Sequence, residues 1–402
     1  MADIKVYGAP WCPDCRRAKK FLGEHRVAYD WIDIEDDADG LRFVEELQGG
    51  GRTIPTIVFP DGSHLLEPSN EEIARQLGLE LEAERGFYDL AIVGGGPTGL
   101  TAAIYAAREG IDAIVIDSGA LGGQAGATER IDNFPGFPEG IEGIELAQRF
   151  VAQAQRYEVE LLEAVGVESL HEDNRDVELQ LSTGQQVCAR AVLIATGSSY
   201  RRLGIPGEAE LTGSNVHFCA ACDGAFYRGR DELLVVGGGN SALEEGLFLS
   251  QFVDRIRIVE FTPQLNASQL LQDKVRGNPM FEIHTNTQVT ELVGRGGKLQ
   301  EVVARDRETG QEYRWTPDGV FVFIGLDPNA AFLKETLDLD RWGFIETDNF
   351  ETSMANVFAA GDVRAGSTKQ LAAAVGEGAG AALAIRARLQ EQAHLATVEV
   401  NA

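Results

Sequence analysis

Twice in this chain a short apolar strand runs into a glycine-rich loop, then a helix, then a second strand that ends on an acid. Tyr88-Asp89-Leu90-Ala91-Ile92-Val93 enters Gly94-Gly95-Gly96-Pro97-Thr98-Gly99; a helix over 100–108 and a strand over 113–116 follow, ending at Asp117. Leu233-Leu234-Val235-Val236 enters Gly237-Gly238-Gly239-Asn240-Ser241-Ala242; a helix over 243–250 and a strand over 256–259 follow, ending at Glu260. The first glycine and the acid are 23 residues apart in both cases, 94 to 117 and 237 to 260. A lone Gly-x-Gly-x-x-Gly says little, but in this strand, loop, helix and acid context it predicts a dinucleotide-binding βαβ unit. Gly94 and Gly237 permit the tight turn, and Gly96 and Gly239 let backbone approach a pyrophosphate. Gly99 and Ala242 allow close helix–strand packing, with the helix N-terminus facing the phosphates. Asp117 and Glu260 are placed to accept ribose hydroxyls; the plainer reading of Asp117 is a surface acid at a strand end.

Four of the five cysteines form two Cys-x-x-Cys pairs. Cys12-Pro13-Asp14-Cys15 follows an apolar strand and opens a basic helix, so Cys12 is expected at a helix N-terminus, where free N–H groups and the helix dipole favour a thiolate. Arg16, Arg17, Lys19 and Lys20 could add to that field, although a solvated helix face is the more ordinary role. Cys15, one turn further on, is the natural resolving thiol. The second pair, Cys219-Ala220-Ala221-Cys222-Asp223-Gly224, lies between the two glycine loops. Asp223 beside it suits either a proton donor and acceptor or a turn residue before Gly224. Cys188 has no motif partner and reads as a small buried hydrophobe. A zinc or iron–sulfur role for Cys12 and Cys15 lacks further ligands at short spacing, since the next cysteine is Cys188. The six histidines do not cluster at ligand spacing, and His217, near the second pair, reads as an ordinary packed or surface residue. No metal is expected.

Around the first pair the pattern predicts strands at 3–7 and 28–34 and helices at 13–23 and 39–48. A strand through 53–59, a turn at Pro60-Asp61-Gly62 and a helix near 69–77 complete a thioredoxin-like βαβ-plus-hairpin module. The polar, Gly-bounded stretch 78–86 reads as a hinge or linker.

With 35 basic against 63 acidic residues, net −28, the chain is repelled by phosphate backbones and anionic lipid, which argues against nucleic-acid and membrane roles. No apolar run has the length of a membrane span, and the opening Met1-Ala2-Asp3-Ile4-Lys5 lacks a secretory pattern, so a cytoplasmic location is expected. In that compartment paired cysteines are more often catalytic or metal-binding than structural.

Trp11-Cys12-Pro13-Asp14-Cys15, Gly50-Gly51-Arg52-Thr53-Ile54-Pro55-Thr56, Asp61-Gly62-Ser63 and Glu67-Pro68-Ser69 resemble glutaredoxins, more narrowly the mycoredoxin-type subgroup. The resemblance implies that Pro55 is cis and lies against the dithiol. Glutathione-binding members carry a Gly-Gly turn and an Asp where this chain has Leu65-Leu66-Glu67-Pro68-Ser69, so a reductase in the same chain is the expected electron source. Over 88–390, Gly122-Gly123-Gln124, Ile131-Asp132-Asn133-Phe134-Pro135-Gly136, Ala195-Thr196-Gly197 and Gly361-Asp362 occur in the order found in low-molecular-weight thioredoxin reductases. That resemblance implies FAD in the first nucleotide fold, approached by Gln124 and Asn133, with Asp362 on the ribityl chain. Gln370 would lie at the isoalloxazine edge, although Ser367-Thr368-Lys369-Gln370 departs from the usual Tyr-Arg-Gln. It also implies Cys222 as the thiol nearest the flavin, Cys219 as the interchange thiol, Asp223 as the proton carrier, a homodimer, and rotation of the inserted domain. NADPH-using members carry His-Arg-Arg where this chain has Glu260-Phe261-Thr262-Pro263. A carboxylate there accepts the free 2′-OH of NADH and repels a 2′-phosphate, and the stretch resembles the NADH-using flavoprotein subunit of alkyl hydroperoxide reductase. NADH is therefore expected over NADPH.

The expected fold is α/β: a thioredoxin-like domain (1–79), a linker (80–87), and two Rossmann-like domains, the second inserted into the first. The FAD domain is expected at 88–205 and 326–402, the NAD(H) domain at 206–325. The expected function is a flavin-dependent disulfide oxidoreductase. Electrons would run from NADH through FAD and Cys219/Cys222 to Cys12/Cys15 and on to a protein or small disulfide. The rivals are a reductase of a separate thioredoxin or peroxiredoxin with the N-terminal module for docking, an NADH oxidase, and a non-enzymatic metal- or cluster-binding redox sensor.

Overall fold

The structure is a computed structural model that describes residues 4–25, 27–128, 130–131 and 133–400. It divides into two compact units, one of residues 1–127, 143–197 and 328–402, the other of 128–142 and 198–327. Each matches the α/β class expected.

The first unit opens with β1 (Ile4–Gly8), α1 (Pro13–Glu24), β2 (Tyr29–Asp33), α2 (Ala38–Leu47), β3 (Thr56–Val58), β4 (His64–Leu66) and α3 (Asn70–Gln76). The sheet order is β2-β1-β3-β4; β1 is parallel to β2 and antiparallel to β3, the thioredoxin-like arrangement. α1 starts where it does because Cys12 caps it with its sulfur and Pro13 occupies the first turn, where a missing N–H costs nothing. α3 starts on a capping box between Ser69 and Glu72.

The stretch after α3 is fastened rather than loose. Leu81 and Ala83 are buried, and the core they join contains Phe21, Leu22 and Ile73 of the N-terminal module together with Tyr88, Ile114 and Leu333 beyond it. Ala83 both donates to and accepts from the Gln185 side chain, at 2.8 and 3.0 Å. Arg85 forks onto Asp112, and the Tyr88 hydroxyl donates to Glu160 at 2.6 Å. The acidic composition of 78–86 concealed this, because Leu79, Leu81 and Ala83 turn inward between exposed neighbours.

β5 (Phe87–Val93), α4 (Pro97–Arg108) and β6 (Ala113–Ile116) form the first βαβ unit. β5 and β6 are parallel neighbours in a seven-stranded sheet flanked by strands Gln186–Ile194 and Glu160–Leu162. The long helix Leu371–Val400 packs on α4, close enough that a Cβ on Gly378 would meet the Thr98 carbonyl oxygen at 2.3 Å.

The second unit has a five-stranded sheet in which Arg230–Val236 lies between Val253–Val259 and Gly319–Val322, all parallel, with separate apolar cores on its faces. Val216–His217 continues the sheet beside Gly319–Val322. Strand Ser198–Tyr200 pairs with Leu326–Pro328. Among the described residues no helix is long and apolar enough to cross a membrane, and no group of His, Cys, Asp and Glu could hold a metal ion.

Candidate active site

The N-terminal dithiol is built by the start of α1 and the loop before β3. Cys12 Sγ accepts the Cys15 N–H at 3.1 Å and lies 3.9 Å from the carbonyl oxygen of Ile54. Ile54–Pro55 is a cis peptide, as the glutaredoxin resemblance implied. Gln48 clamps that loop: its amide accepts the Thr53 N–H at 2.8 Å and donates to Thr53 O and Thr56 Oγ1. Both sulfurs are free thiols and buried. Burial first, then the hydrogen bond with Cys12, push the Cys15 thiol up to about 12. Trp11, 62% exposed, donates to Glu35 and offers a flat apolar surface beside Cys12.

Arg17 does not face the dithiol alone; it donates to Asp14, Asn70 and the Pro68 carbonyl and so ties α1 to the turn before α3. Lys19 lies over the Trp31 ring. The side chains of Arg16 and Lys20 lie outside the described residues.

The first glycine loop fits a dinucleotide pyrophosphate. Gly94 has φ +111, and a Cβ on it would meet the Ala195 carbonyl oxygen at 2.4 Å. A Cβ on Gly99 would collide with Gly94 O at 1.9 Å, the close helix–strand packing the motif needs. Gly96 caps α4 with no side chain between the helix N-terminus and its ligand space. Asp117 Oδ2 accepts the Gly95 N–H at 2.6 Å and Oδ1 the Gly119 N–H at 2.8 Å, so the strand-end acid braces the loop itself. Gly122 donates to Gly95 O, bringing the segment that carries Gln124 to the same loop. Asp362 lies in the turn Gly361–Val363, with Gly361 against Thr98 of α4. Its Oδ1 is buried without a hydrogen-bond partner among the described residues, an acceptor suited to a cofactor hydroxyl. Burial pushes the Asp362 carboxyl up, against the opposing charge of Lys369. Lys369 Nζ donates to the carbonyls of Asp362 and Arg364, and Gln370 follows it immediately before the helix Leu371–Val400. Asn133 lies in the segment 128–142 of the second unit; Asp132 lies outside the described residues.

In the second unit Gly237 has φ +127, and a Cβ there would meet the Phe323 carbonyl oxygen at 2.4 Å. Gly239 caps the helix Asn240–Leu249, and Ala242 is buried beneath the turn. Glu260 Oε1 accepts both the N–H and the hydroxyl of Thr262, at 2.8 and 2.6 Å. Its Oε2 lies under the loop, 2.6 Å from where a Cβ on Gly238 would be. This loop also fits a dinucleotide. Arg307, near the same strand end, lies over the Phe261 ring and donates to the Phe261 carbonyl.

Cys219 is disulfide-bonded and begins the turn Ala220–Asp223, whose Asp223 N–H donates to Cys219 O at 3.1 Å. The Cys222 side chain lies outside the described residues. Asp223 Oδ2 is 3.3 Å from His217 Nδ1, a relationship the sequence did not reveal. Gln48 was likewise missed as a support, and Arg17, weighed in the sequence for its charge alone, serves to tie α1 to the turn before α3. Cys188 sits half-buried on the strand Gln186–Ile194, its thiol pushed up by burial.

Residues 88–378 match the family described as pyridine nucleotide-disulphide oxidoreductase, and residues 4–65 match glutaredoxin. A thioredoxin reductase of Bacillus subtilis is 38% identical over 310 residues, 77% of this chain and 97% of that protein. A protein in the rubredoxin operon of Clostridium pasteurianum is 39% identical over 298 residues, 73% of this chain and 95% of its own length. The crystal structure of thioredoxin reductase from Streptococcus pyogenes superposes with a TM-score of 0.71 at 37% identity, covering 76% of this chain and 99% of that one. The family implies FAD and a pyridine nucleotide, and the two glycine loops have the shape for both. The chain therefore belongs to the pyridine nucleotide-disulphide oxidoreductases, as a thioredoxin-reductase-type flavin disulfide oxidoreductase with an N-terminal glutaredoxin domain.

Proposed function

We propose that this chain carries electrons from NADH to its own N-terminal dithiol, and that Cys12 delivers them to a protein or low-molecular-weight disulfide. The observation that carries the reading is the Cys12–Cys15 geometry: one sulfur capping a helix beside a cis-proline loop, the other a buried thiol held near pKa 12. That division of labour is what disulfide exchange requires, joined in one chain to a reductase.

FAD held by the 94–99 loop and Asp362 would supply two-electron exchange between a pyridine nucleotide at the 237–242 loop and the Cys219/Cys222 pair. The chain's residues do the rest. Cys12 attacks the substrate disulfide; a Cys12–S–S bond forms and the first substrate thiolate leaves. Cys15 then attacks the Cys12 sulfur, closes the Cys12–Cys15 disulfide and frees the second substrate thiol. The Cys219/Cys222 dithiol reduces that disulfide, with Asp223 moving the proton. In this reading 88–205 and 326–402 form the FAD domain, 206–325 the NAD(H) domain, with Gln124, Asn133 and Gln370 around the flavin.

Glu260 supports NADH: a buried carboxylate at the ribose position disfavours a 2′-phosphate. The nearby cation, Arg307, is engaged with Phe261. The test is anaerobic NADH-driven reduction of a small protein disulfide by the wild type and by Cys12→Ser. The proposal expects disulfide reduction to be lost while NADH still bleaches the flavin. Unchanged turnover would mean that Cys219 serves an outside partner directly.

A further inference from the structure

His217 is a buried histidine for which the electron path has no use. It lies on the strand Val216–His217, paired with Phe321, and its ring stacks on the Phe321 ring at 5.1 Å. Its side chain is 5% exposed. Nδ1 faces Asp223 Oδ2 at 3.3 Å, and Nε2 faces the Tyr227 hydroxyl at 2.8 Å. Asp223 and Tyr227 are thus its titratable neighbours, with Asp318 and Arg230 acting on Tyr227 from further out.

The tautomer follows from these partners. The Tyr227 hydroxyl has two acceptors in reach, His217 Nε2 at 2.8 Å and the Ser214 carbonyl oxygen at 3.5 Å, and burial pushes its pKa up, so the phenol keeps its proton. A carboxylate only accepts, so the tautomer that pairs with Asp223 carries its proton on Nδ1.

We propose that His217 is a positioning residue for disulfide exchange at Cys219, holding in one orientation the Asp223 carboxylate that follows Cys222 in the chain. This rests on the reading of Asp223 as proton carrier. In the step, Asp223 accepts the Cys219 proton, and the Cys219 sulfur attacks the acceptor disulfide. A Cys219–S–S bond forms, the acceptor S–S bond breaks, and the departing thiolate takes the proton back from Asp223. Cys222 then displaces the second acceptor sulfur from Cys219 and gives it the Cys222 proton. The dithiol is oxidised by two electrons, the acceptor reduced by two, and Asp223 ends as it began.

Two substitutions separate positioning from packing. Asn places its amide N–H where Nδ1 stood; Gln places its amide where Nε2 stood and leaves Asp223 without a donor. The assay is the pH profile of exchange between the pre-reduced protein and 5,5′-dithiobis(2-nitrobenzoate), in a Cys12→Ser/Cys15→Ser/Cys188→Ser background that leaves the central dithiol to react. His217→Gln is expected to slow exchange near neutrality about tenfold, because the Asp223 carboxylate loses the donor that holds it in place. His217→Asn is expected to keep the profile of its parent and so also reports that the fold survives. If Asn and Gln behave alike, slowed or not, His217 is packing and the proposal is overturned. If Asp223→Asn leaves the profile unchanged, the reading of Asp223 itself fails and this proposal falls with it.

Discussion

A Cβ on Gly8 would lie 2.6 Å from Cys15 Sγ, so the end of β1 leaves room for the resolving sulfur only as long as residue 8 is glycine. The same atom would strike the Trp31 ring at 2.7 Å. Gly8→Ala is therefore expected to destabilise the N-terminal module by about 1–3 kcal/mol, the usual range for overpacking. It should also slow the second step of exchange, accumulating a mixed disulfide on Cys12. Urea unfolding and mass spectrometry of trapped adducts check the two halves.

The Cys15 thiol gives the reduced protein an alkaline weakness. Its pKa is raised from an ordinary 9.0 to about 12, burial being the first cause. Below pH 9 the folded and unfolded chains both hold this proton; above it the unfolded chain releases the proton first. Stability present below the unfolded pKa is lost as the pH rises toward the folded one, at up to about 1.4 kcal/mol per pH unit. Thermal unfolding of the reduced protein between pH 8 and about 11 should fall more steeply in the wild type than in Cys15→Ser. Parallel curves would show that Cys15 is not held as a thiol.

At the second nucleotide loop, Glu260→Ser is expected to raise the NADPH-to-NADH ratio of kcat/KM by about ten- to a hundredfold, mainly by removing repulsion toward a 2′-phosphate. Steady-state kinetics with each nucleotide at fixed ionic strength make the comparison. A wild type that already prefers NADPH would contradict the role assigned to Glu260.

The stretch 80–86 should resist proteolysis, because both backbone groups of Ala83 are bonded to Gln185 and Arg85 is forked onto Asp112. Gln185→Ala is expected to speed tryptic cutting at Arg85 about tenfold, in line with losing hydrogen bonds worth about 1 kcal/mol each. A time course on gels reads this directly.

Those four cases divide by how far apart in sequence their partners lie. The nucleotide loops were legible because strand, glycines, helix and acid lie within one βαβ unit, where spacing alone fixes geometry. The first dithiol was legible for the same reason: Cys12 and Cys15 share one helical turn. Ala83 and Gln185 are 102 residues apart, and no local pattern links them. His217 looked like an ordinary packed or surface residue because Tyr227 reaches it only after the chain has turned through Asp223 and Gly224. Asn133 and Gln124 sit nine positions apart (124 to 133) yet fall in different compact units, a division that motif order does not encode.

The central claim is that two dithiols and one flavin form a single electron path. Anaerobic titration of the FAD-loaded protein with NADH, followed at the flavin absorbance, counts the sites on that path. The account predicts that complete bleaching takes about three two-electron equivalents in the wild type and about two in Cys12→Ser/Cys15→Ser, one for each dithiol and one for the flavin. Bleaching complete after about two equivalents in both proteins would show that Cys12 and Cys15 receive no electrons from their own chain.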